Sequence, residues 1–400
     1  MSRPNRNAVT TVPFRGWRIA PDHLNALATR YSSPWDSGSS GPDVEPTFRT
    51  WQRRRAVVRD RRPCFYAYEQ TGPQGTLRGL LGAVHLDSRL LSHEDVIPEQ
   101  VYDLTDVMHS AAMNLDPMVL GYPGDGRTAE HLARIARTAP SSEVLADDGQ
   151  LHRVWCIPDH ETHDDVSAEL SARVAFIADG HHRYVAARQY RRDYYAAGYG
   201  QGPWDYVCGL LVDVKRTRMR LAPVHRLLPY ADPRSALAAA SARFRVRQLP
   251  GDLREWLSAL KEAARYGPAF VVVTSTGAFL LAEPDPAWLD HVLRGCTPAV
   301  RQTHLAVLHH GLVDELWRTP ALPEYVGYES SAARVVDRVR RQGGLAVLVT
   351  AVTQRDLQAA AAGGVRLPRK STAFGPKPHP GLVFRTLEPE ADPRGTARSA

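Results

Sequence analysis

Two rhythms of apolar positions run along the chain. Short apolar or alternating runs mark strands, and segments with apolar residues every three to four positions mark helices. The runs CFYAYEQ and TLRGLLGAVHL, within residues 64–86, flank a TGPQG turn and predict a hairpin. Residues 95–121 are mixed, with a helical stretch near PEQVYDLTDVMHSAAM, and QLHRVWCIP at 150–158 predicts another strand. ETHDDVSAELSARV then predicts a helix, AFIA a strand buried on both faces, and HHRYVAARQYRRDYYAAG a further helix. On that last helix Tyr184, Ala187, Tyr190 or Arg191, and Tyr194 recur at helical spacing and form its expected packed stripe.

Two β-like runs, YVCGLLVDV and MRLAPVHRLLP, lie within 206–228 and bring His225 and Arg226 to a strand end, as added cations or as exposed side chains. Beyond them the pattern predicts helices at 233–243 and 252–265, the strand pair FVVVTSTGAFLLAE, helices near 286–294 and 303–317, and a helix at 330–341. The strand GLAVLVTAV, a helix at 353–362, a polar loop at 366–380 and the strand GLVFRTL complete the pattern. Residues 1–12 read as a frayed arm and the Ser-, Gly- and Pro-rich stretch 31–46 as a loop. No internal repeat is visible. Irregular alternation with several hairpins predicts an α+β or mixed-sheet α/β fold in two lobes. The lobes are residues 1–230 and 231–400, with the last polar loop returning to a site in the first.

Composition narrows the class. With 400 residues, 43% hydrophobic and 23% charged, the chain is that of a globular protein with a real core. No apolar run approaches the roughly 20 residues of a membrane helix, and the first residues carry no apolar signal core, so a cytoplasmic location is expected. Cys64, Cys156, Cys208 and Cys296 are far apart and lack zinc-site spacing, so reduced and mostly buried thiols are expected. The net charge is +7 and the isoelectric point about 9.3, but the excess is almost all arginine. A solvated basic surface and an anionic partner both fit that balance. Only four lysines occur, and two of them, Lys370 and Lys377, fall within RKSTAFGPK.

Candidate chemistry concentrates at the junction AFIADGHHRYVAA. Asp179 can cap the following helix, and Gly180 permits a sharp turn or close ligand approach. His181, His182 and Arg183 then fall in the first helical turn. A helix start favours anions, and an arginine fork matches phosphate or carboxylate oxygens. A capped helix with solvent-facing histidines fits the same residues. Adjacent helical positions point about 100° apart, which disfavours His181 and His182 as ligands of one metal. The stretch RLPRKSTAFGPKPHPGLVF gathers Arg366, Arg369, Lys370, Ser371, Thr372 and Lys377 among four prolines, suited to gripping an anion, or to lying solvated. The glycine that a P-loop needs before its lysine is Arg369 here, which excludes that motif. In SHEDV, His93, Glu94 and Asp95 offer a general base or a surface acidic turn. Asn114 and Pro117 in MNLDP, with Pro34 and Asp36 in SPWD, are turn formers first.

Together VPFRGWRI, SPWD, FYAYEQ, SHEDV, NLDP, FIADGHHRYVAA, PVHRLL and RLPRKSTAFGPKPHPGLVF resemble, in order, the domain-of-unknown-function 1015 family of bacteria and archaea. ADGHHRYVAA also resembles the strand–DGHHR–helix signature of ParB and sulfiredoxin-like proteins, including free-serine kinases. That resemblance implies phosphate contacts from Gly180, His181, His182 and Arg183, with Asp179 ordering the turn or a metal. Glu94, in the segment that resembles the family's HER motif, is the expected base, helped by His93, and Lys370, Ser371, Thr372, Lys377, His225 and Arg226 are expected as further phosphate or nucleotide contacts. ATP or ADP and Mg²⁺ are the implied cofactors, with Asp179 or Asp36 as magnesium ligands. A small anionic molecule is the implied partner rather than nucleic acid or membrane. The chain departs from the family where Asp95 follows Glu94 and where DVIPEQVYD and SAAMN lack the usual cations.

The expected activity is kinase-like phosphoryl transfer, or its phosphatase-like reverse, on serine, O-phosphoserine or a related hydroxy amino acid, in a biosynthetic setting. A ParB-like nucleotide- or nucleic-acid-binding protein without turnover is the alternative, as is a hydrolase or lyase using the same anion pocket.

Overall fold

The computed structural model describes residues 8–24, 44–73, 75–301, 303–320, 322, 324–353, 367–368 and 370–389. Pro34, Asp36, Arg366 and Arg369 lie outside the described residues, as does the helix expected at 353–362 beyond Thr353. The chain divides into two compact units. One comprises Met1–Leu91, Val96–Met219 and Pro376–Ala400, and the other Ser92–Asp95 and Arg220–Gly375.

The first unit is built on a nine-stranded mixed sheet. In chain order its strands are β1 (Thr11–Val12), β2 (Phe65–Gly72), β3 (Gly75–His85), β4 (Leu90–Leu91), β5 (Met118–Tyr122), β6 (Ser142–Leu145), β7 (Leu151–Ile157), β8 (Ala175–Asp179) and β9 (Tyr206–Asp213). Their spatial order is β4-β8-β5-β9-β3-β2-β7-β6, with β1 on β3. The β8–β4 and β9–β5 pairs are parallel and the rest antiparallel, so the sheet is mixed. The expected hairpin is β2–β3, with Tyr66 opposite Leu81. The helices that place the candidate residues are α1 (Pro98–Ala111), α2 (His160–Leu170) and α3 (His181–Ala196). α3 lays Ala186, Ala187 and Tyr190 into the core beside Leu120, Ile177 and Leu211, while Tyr184 and Tyr194 pack at its edge.

Strand β5 did not stand out in the sequence. MVLGY has no polar alternation because both of its faces are covered, and all five residues are buried. The amino-terminal arm is ordered from residue 8 rather than frayed. Val9 is buried, and β1 pairs with β3 through Thr11 opposite Val84. Helix formation also begins at Val44, inside the stretch expected to be a loop.

The second unit carries a six-stranded sheet that is antiparallel throughout. Its strands are β10 (His225–Leu228), β11 (Arg245–Leu249), β12 (Phe270–Thr274), β13 (Gly277–Ala282), β14 (Gly327–Glu329) and β15 (Leu345–Leu348), in the order β11-β13-β12-β15-β10-β14. Helices α4 (Leu253–Ala263) and α5 (Ala332–Gln342) set Trp256, Leu260, Val335, Val336 and Val339 against Val271, Val273, Ala346 and Leu348. α4 starts in a reciprocal capping box in which Asp252 accepts from Arg254 and Glu255 N–H groups and Glu255 accepts from Asp252 N–H. The expected helix at 303–317 is present as His304–Ala306 continued by Val307–Leu316, the latter wound as a π-helix. Two expected strands are shorter than their apolar runs. GLAVLVTAV pairs only over Leu345–Leu348, and GLVFRTL only over Arg385–Thr386, opposite Met113 and Asn114.

Leu120 is completely buried in the middle of β5. Leu120→Ala is expected to destabilise the first unit by about 2–5 kcal/mol through lost burial and a residual cavity. Urea unfolding followed by tryptophan fluorescence should show that loss as a lower midpoint.

Candidate functional site

In the first unit, β8 ends at Asp179, Gly180 turns the chain, and α3 begins at His181. Gly180 sits at φ 98°, a left-handed conformation that suits glycine. A side chain here would also meet the Arg183 guanidinium carbon at 3.2 Å and Met118 at 3.2 Å, so the arginine folds back over a bare backbone. The expectation that Asp179 caps α3 is not met. The cap residue is Gly180, with no side-chain cap bond, because Asp179 is still part of the strand.

Asp179 instead holds cations. Its carboxylate accepts a hydrogen bond from Arg183 and lies 3.6 Å from the Lys377 ammonium. The Arg183 guanidinium also donates to the Pro117 carbonyl oxygen. These two bonds use part of a five-donor fork. Lys377 is largely exposed, so the turn carries two cations against one carboxylate at the positive end of a sixteen-residue helix. His182 is half-buried. Its Nε2 accepts the Ile97 N–H at 2.9 Å at the start of α1, which makes Nδ1 the protonated nitrogen of the neutral ring. His181 is buried.

The second unit gathers the other motifs. Main-chain bonds join the segment 92–95 to Leu367: Leu367 N–H donates to His93 O at 2.7 Å, and Asp95 N–H to Leu367 O at 3.3 Å. Glu94 is thereby placed under the KST turn. One of its oxygens accepts from Lys370 N–H at 2.9 Å, and the other from Thr372 N–H at 3.2 Å and Thr372 Oγ1 at 3.0 Å. A carboxylate offers about four acceptor positions, so three of them are filled. Burial raises the Glu94 pKa above the usual carboxylate value, opposed by the Lys370 charge and the Thr372 hydrogen bonds. Lys370 adopts φ 52°, the conformation that turns its N–H toward Glu94.

Because the Thr372 hydroxyl donates to Glu94, its oxygen accepts from His93 Nε2 at 3.2 Å. His93 is neutral, its pKa lowered to about 4 by burial. Ser371 is buried and donates to the Pro368 carbonyl.

His225 and Arg226 are not exposed, as one reading of the sequence had it. Both are buried on β10. His225 Nδ1 accepts from Val349 N–H at 3.2 Å, and burial with the Arg226 charge lowers its pKa to about 4. Arg226 donates to the Val224 carbonyl at 2.5 Å and to His309 Nε2 at 3.0 Å, with its guanidinium 4.7 Å from the Tyr328 ring centre. Burial lowers its pKa to about 10, while Tyr328 and Glu94 favour the charged form.

The structure thus brings together His93, Glu94, Lys370, Ser371 and Thr372 within one unit, and Asp179, Gly180, Arg183 and Lys377 within the other. Sequence reading missed Pro117 as the second acceptor for Arg183, since a carbonyl leaves no residue-type signature. It also missed a chain of buried polar groups beside a small cavity lined in part by Tyr68, Pro117, Pro378 and His379. There the Tyr68 hydroxyl and His152 Nδ1 share a hydrogen bond of 2.8 Å, and Tyr68 accepts from His379 N–H at 2.9 Å.

Asn114 is structural, its carbonyl oxygen accepting from Cys208 N–H at 3.0 Å and from Arg385 at 3.2 Å. Of the two residues implied as magnesium ligands, Asp36 lies outside the described residues. Asp179 is occupied by Arg183 and Lys377, and the described residues contain no group of three or more His, Cys, Asp or Glu able to hold a metal.

Arg191 donates to Asp87 at 3.0 Å, Arg192 to Gln189, and Tyr194 stacks on Trp204 with centroids 4.3 Å apart. No helix among the described residues is long and apolar enough to cross a membrane.

Fold and site define a two-unit α/β protein whose first unit presents an arginine- and lysine-bearing strand–glycine–helix turn. The chain belongs to the family described as "Protein of unknown function (DUF1015)", which it matches over residues 42–303. No curated protein matches it. Among solved structures it is similar to a free serine kinase in complex with AMP, at 12% identity and a TM-score of 0.42, covering 76% of this chain and 91% of that one. A conserved hypothetical protein from Pyrococcus furiosus gives 12% and 0.42, covering 76% and 94%. SbnI with a C-terminal truncation from Staphylococcus aureus gives 11% and 0.37, covering 78% and 90%.

The buried histidines make the second unit acid-sensitive. A histidine whose pKa falls from 6.5 to about 4 on folding contributes stability above the unfolded value, and this is lost as pH falls through the folded one. Glu94 acts oppositely, its contribution present below 4.5 and lost as pH rises through the raised folded value. Between pH 6.5 and 4, His93→Asn should therefore flatten the loss of stability relative to wild type. His225 leaves a residual slope. Urea midpoints across that range check the difference, and identical slopes would contradict it.

Proposed function

We propose that the protein transfers a phosphoryl group between a nucleotide and a small hydroxy amino acid, serine or O-phosphoserine being the simplest pair. The observation that carries this reading is the Gly180–Arg183 turn. Its glycine lets the arginine lie against the backbone, and its remaining guanidinium N–H groups, with Lys377 and the helix end, suit phosphate oxygens. An entering phosphate competes with Asp179 for Arg183, so the carboxylate serves as the counter-ion that holds the fork in shape without substrate.

The resemblance of ADGHHRYVAA to the ParB and sulfiredoxin-like signature, and of SHEDV to the family's HER motif, supports the assignment of roles. Glu94 accepts the proton of the acceptor hydroxyl, a task helped by a pKa raised toward the working pH. Lys370, held by its own backbone bond to that carboxylate, supplies a cation to the phosphoryl group. Catalysis is then chiefly positioning and charge stabilisation. Magnesium arrives as part of the nucleotide substrate rather than as a protein-held ion.

The test is ³¹P NMR of the full chain incubated with magnesium and each pairing of ATP or ADP with serine, and AMP or ADP with O-phosphoserine. A phosphoserine resonance, or its loss with nucleotide gain, is expected. Glu94→Gln is expected to slow transfer by about 10²–10⁴-fold, the range of a positioned general base. Absence of transfer in every pairing would overturn the proposal.

A further inference from the structure

We propose that Cys64 and Cys156 are a redox-active pair that closes to a disulfide across the β2–β7 ladder when the protein meets a peroxide. The register sets the two residues together. β7 runs antiparallel to β2 with Cys156 opposite Tyr66 and Ile157 opposite Phe65, and Cys64 is the next residue beyond Phe65. Side chains alternate between the faces of a strand, so Cys64, Tyr66 and Cys156 share one face while Phe65, Ala67, Trp155 and Ile157 point into the main core. Cys64 and Cys156 are diagonal neighbours on that face.

Both backbones are pinned. Cys64 exchanges two main-chain bonds of 3.0 Å with Phe14, and Cys156 N–H donates to Ser141 Oγ at 3.1 Å. All four cysteines of the chain are free thiols, and Cys64 is buried while Cys156 is half-exposed, which gives a small oxidant access to the pair.

The surroundings divide the roles. The side-chain hydrogen bond from Cys156 lowers the Cys64 pKa, opposed by burial, with Arg18 favouring the thiolate and Asp60 opposing it. The same contact raises the Cys156 pKa, and burial adds to the effect. Arg18 is itself fixed by Asp60 at 2.6 Å and by the Ser141 carbonyl at 3.3 Å. Thiolate is the nucleophile in this chemistry, and in this proposal Cys64 makes the first attack once it has lost the proton it donates to the Arg62 carbonyl.

The Cys64 sulfur attacks one peroxide oxygen. The O–O bond breaks, and the departing hydroxide takes up a proton as water, leaving a sulfenic acid. Cys156 then gives up its proton and attacks the Cys64 sulfur. The S–O bond breaks, a second water leaves, and the S–S bond forms. In sum two thiols and one hydrogen peroxide give one disulfide and two waters, with peroxide taking both electrons. Bridging ties the start of β2 to β7 covalently at the place where Arg18, Asp60 and Tyr66 already meet. The inference is independent of the proposed phosphoryl transfer.

The experiment treats the folded full-length protein with hydrogen peroxide, then unfolds it in denaturant, alkylates the remaining thiols with iodoacetamide, and maps peptides without reduction. A peptide linking Cys64 to Cys156 is expected. Alkylation at those two positions should fall at least about tenfold and return with dithiothreitol, while Cys208 and Cys296 stay alkylatable. Cys156→Ser should arrest the reaction at a Cys64 sulfenic acid that dimedone traps. Should that variant fail to fold, the wild-type peptide map decides alone. Sulfinic or sulfonic acid at Cys64 or Cys156 without a bridge, a bridge to another cysteine, or two unreacted thiols would each overturn the proposal.

Discussion

A single buried carboxylate organises the second unit around a sequence-distant loop. Glu94 accepts hydrogen bonds from Lys370 N–H, Thr372 N–H and Thr372 Oγ1 across a sequence separation of 276–278 residues. Burying a carboxylate is costly unless its oxygens are paired, and three donors with a nearby lysine meet that need. The arrangement also explains an oddity of chain path. Residues 92–95 belong to the second unit although both flanking segments belong to the first. The turn that carries Lys370 and Thr372 is held in a left-handed conformation at Lys370, with the Ser371 hydroxyl bonded back to Pro368. Removing the Glu94 charge therefore disturbs the geometry of this turn.

The first unit solves the complementary problem of keeping cations in place. Arg183 and Lys377 are both drawn to Asp179, and the Pro117 carbonyl fixes the plane of the guanidinium. Glycine at 180 serves both demands, accepting a positive φ and leaving room for the arginine. A cation held by a counter-ion and a carbonyl is pre-shaped for an oxyanion, and less rotamer entropy is lost when one binds.

Much of this was legible in the chain. The hairpin β2–β3, strand β7, strand β8 with α3, and the strand pair β12–β13 follow from periodicity and turn residues alone. Strand β5 was hidden because a strand covered on both faces shows no alternation. Two apolar runs, GLAVLVTAV and GLVFRTL, promised more strand than exists, since pairing depends on neighbours that a local pattern does not contain. At the candidate site, residue types pointed to Asp179, Arg183, Glu94 and Lys370, but their roles depended on contacts. Asp179 looked like a cap and is a counter-ion; His182 looked like a phosphate ligand and bonds the start of α1; Arg226 looked like a surface cation and is enclosed by His309 and Tyr328. Sequence shows which groups can do chemistry, and tertiary packing decides which lone pairs and protons are already spent.

Calorimetric titration of ADP into the wild type and Arg183→Lys is the sharpest test of the proposed phosphate-holding role of the Gly180–Arg183 turn. The fork is expected to give saturable binding that weakens at least about tenfold in the lysine variant, because an ammonium cannot match two phosphate oxygens at once. Equal affinity in both proteins, or no heat of binding in either, would contradict it.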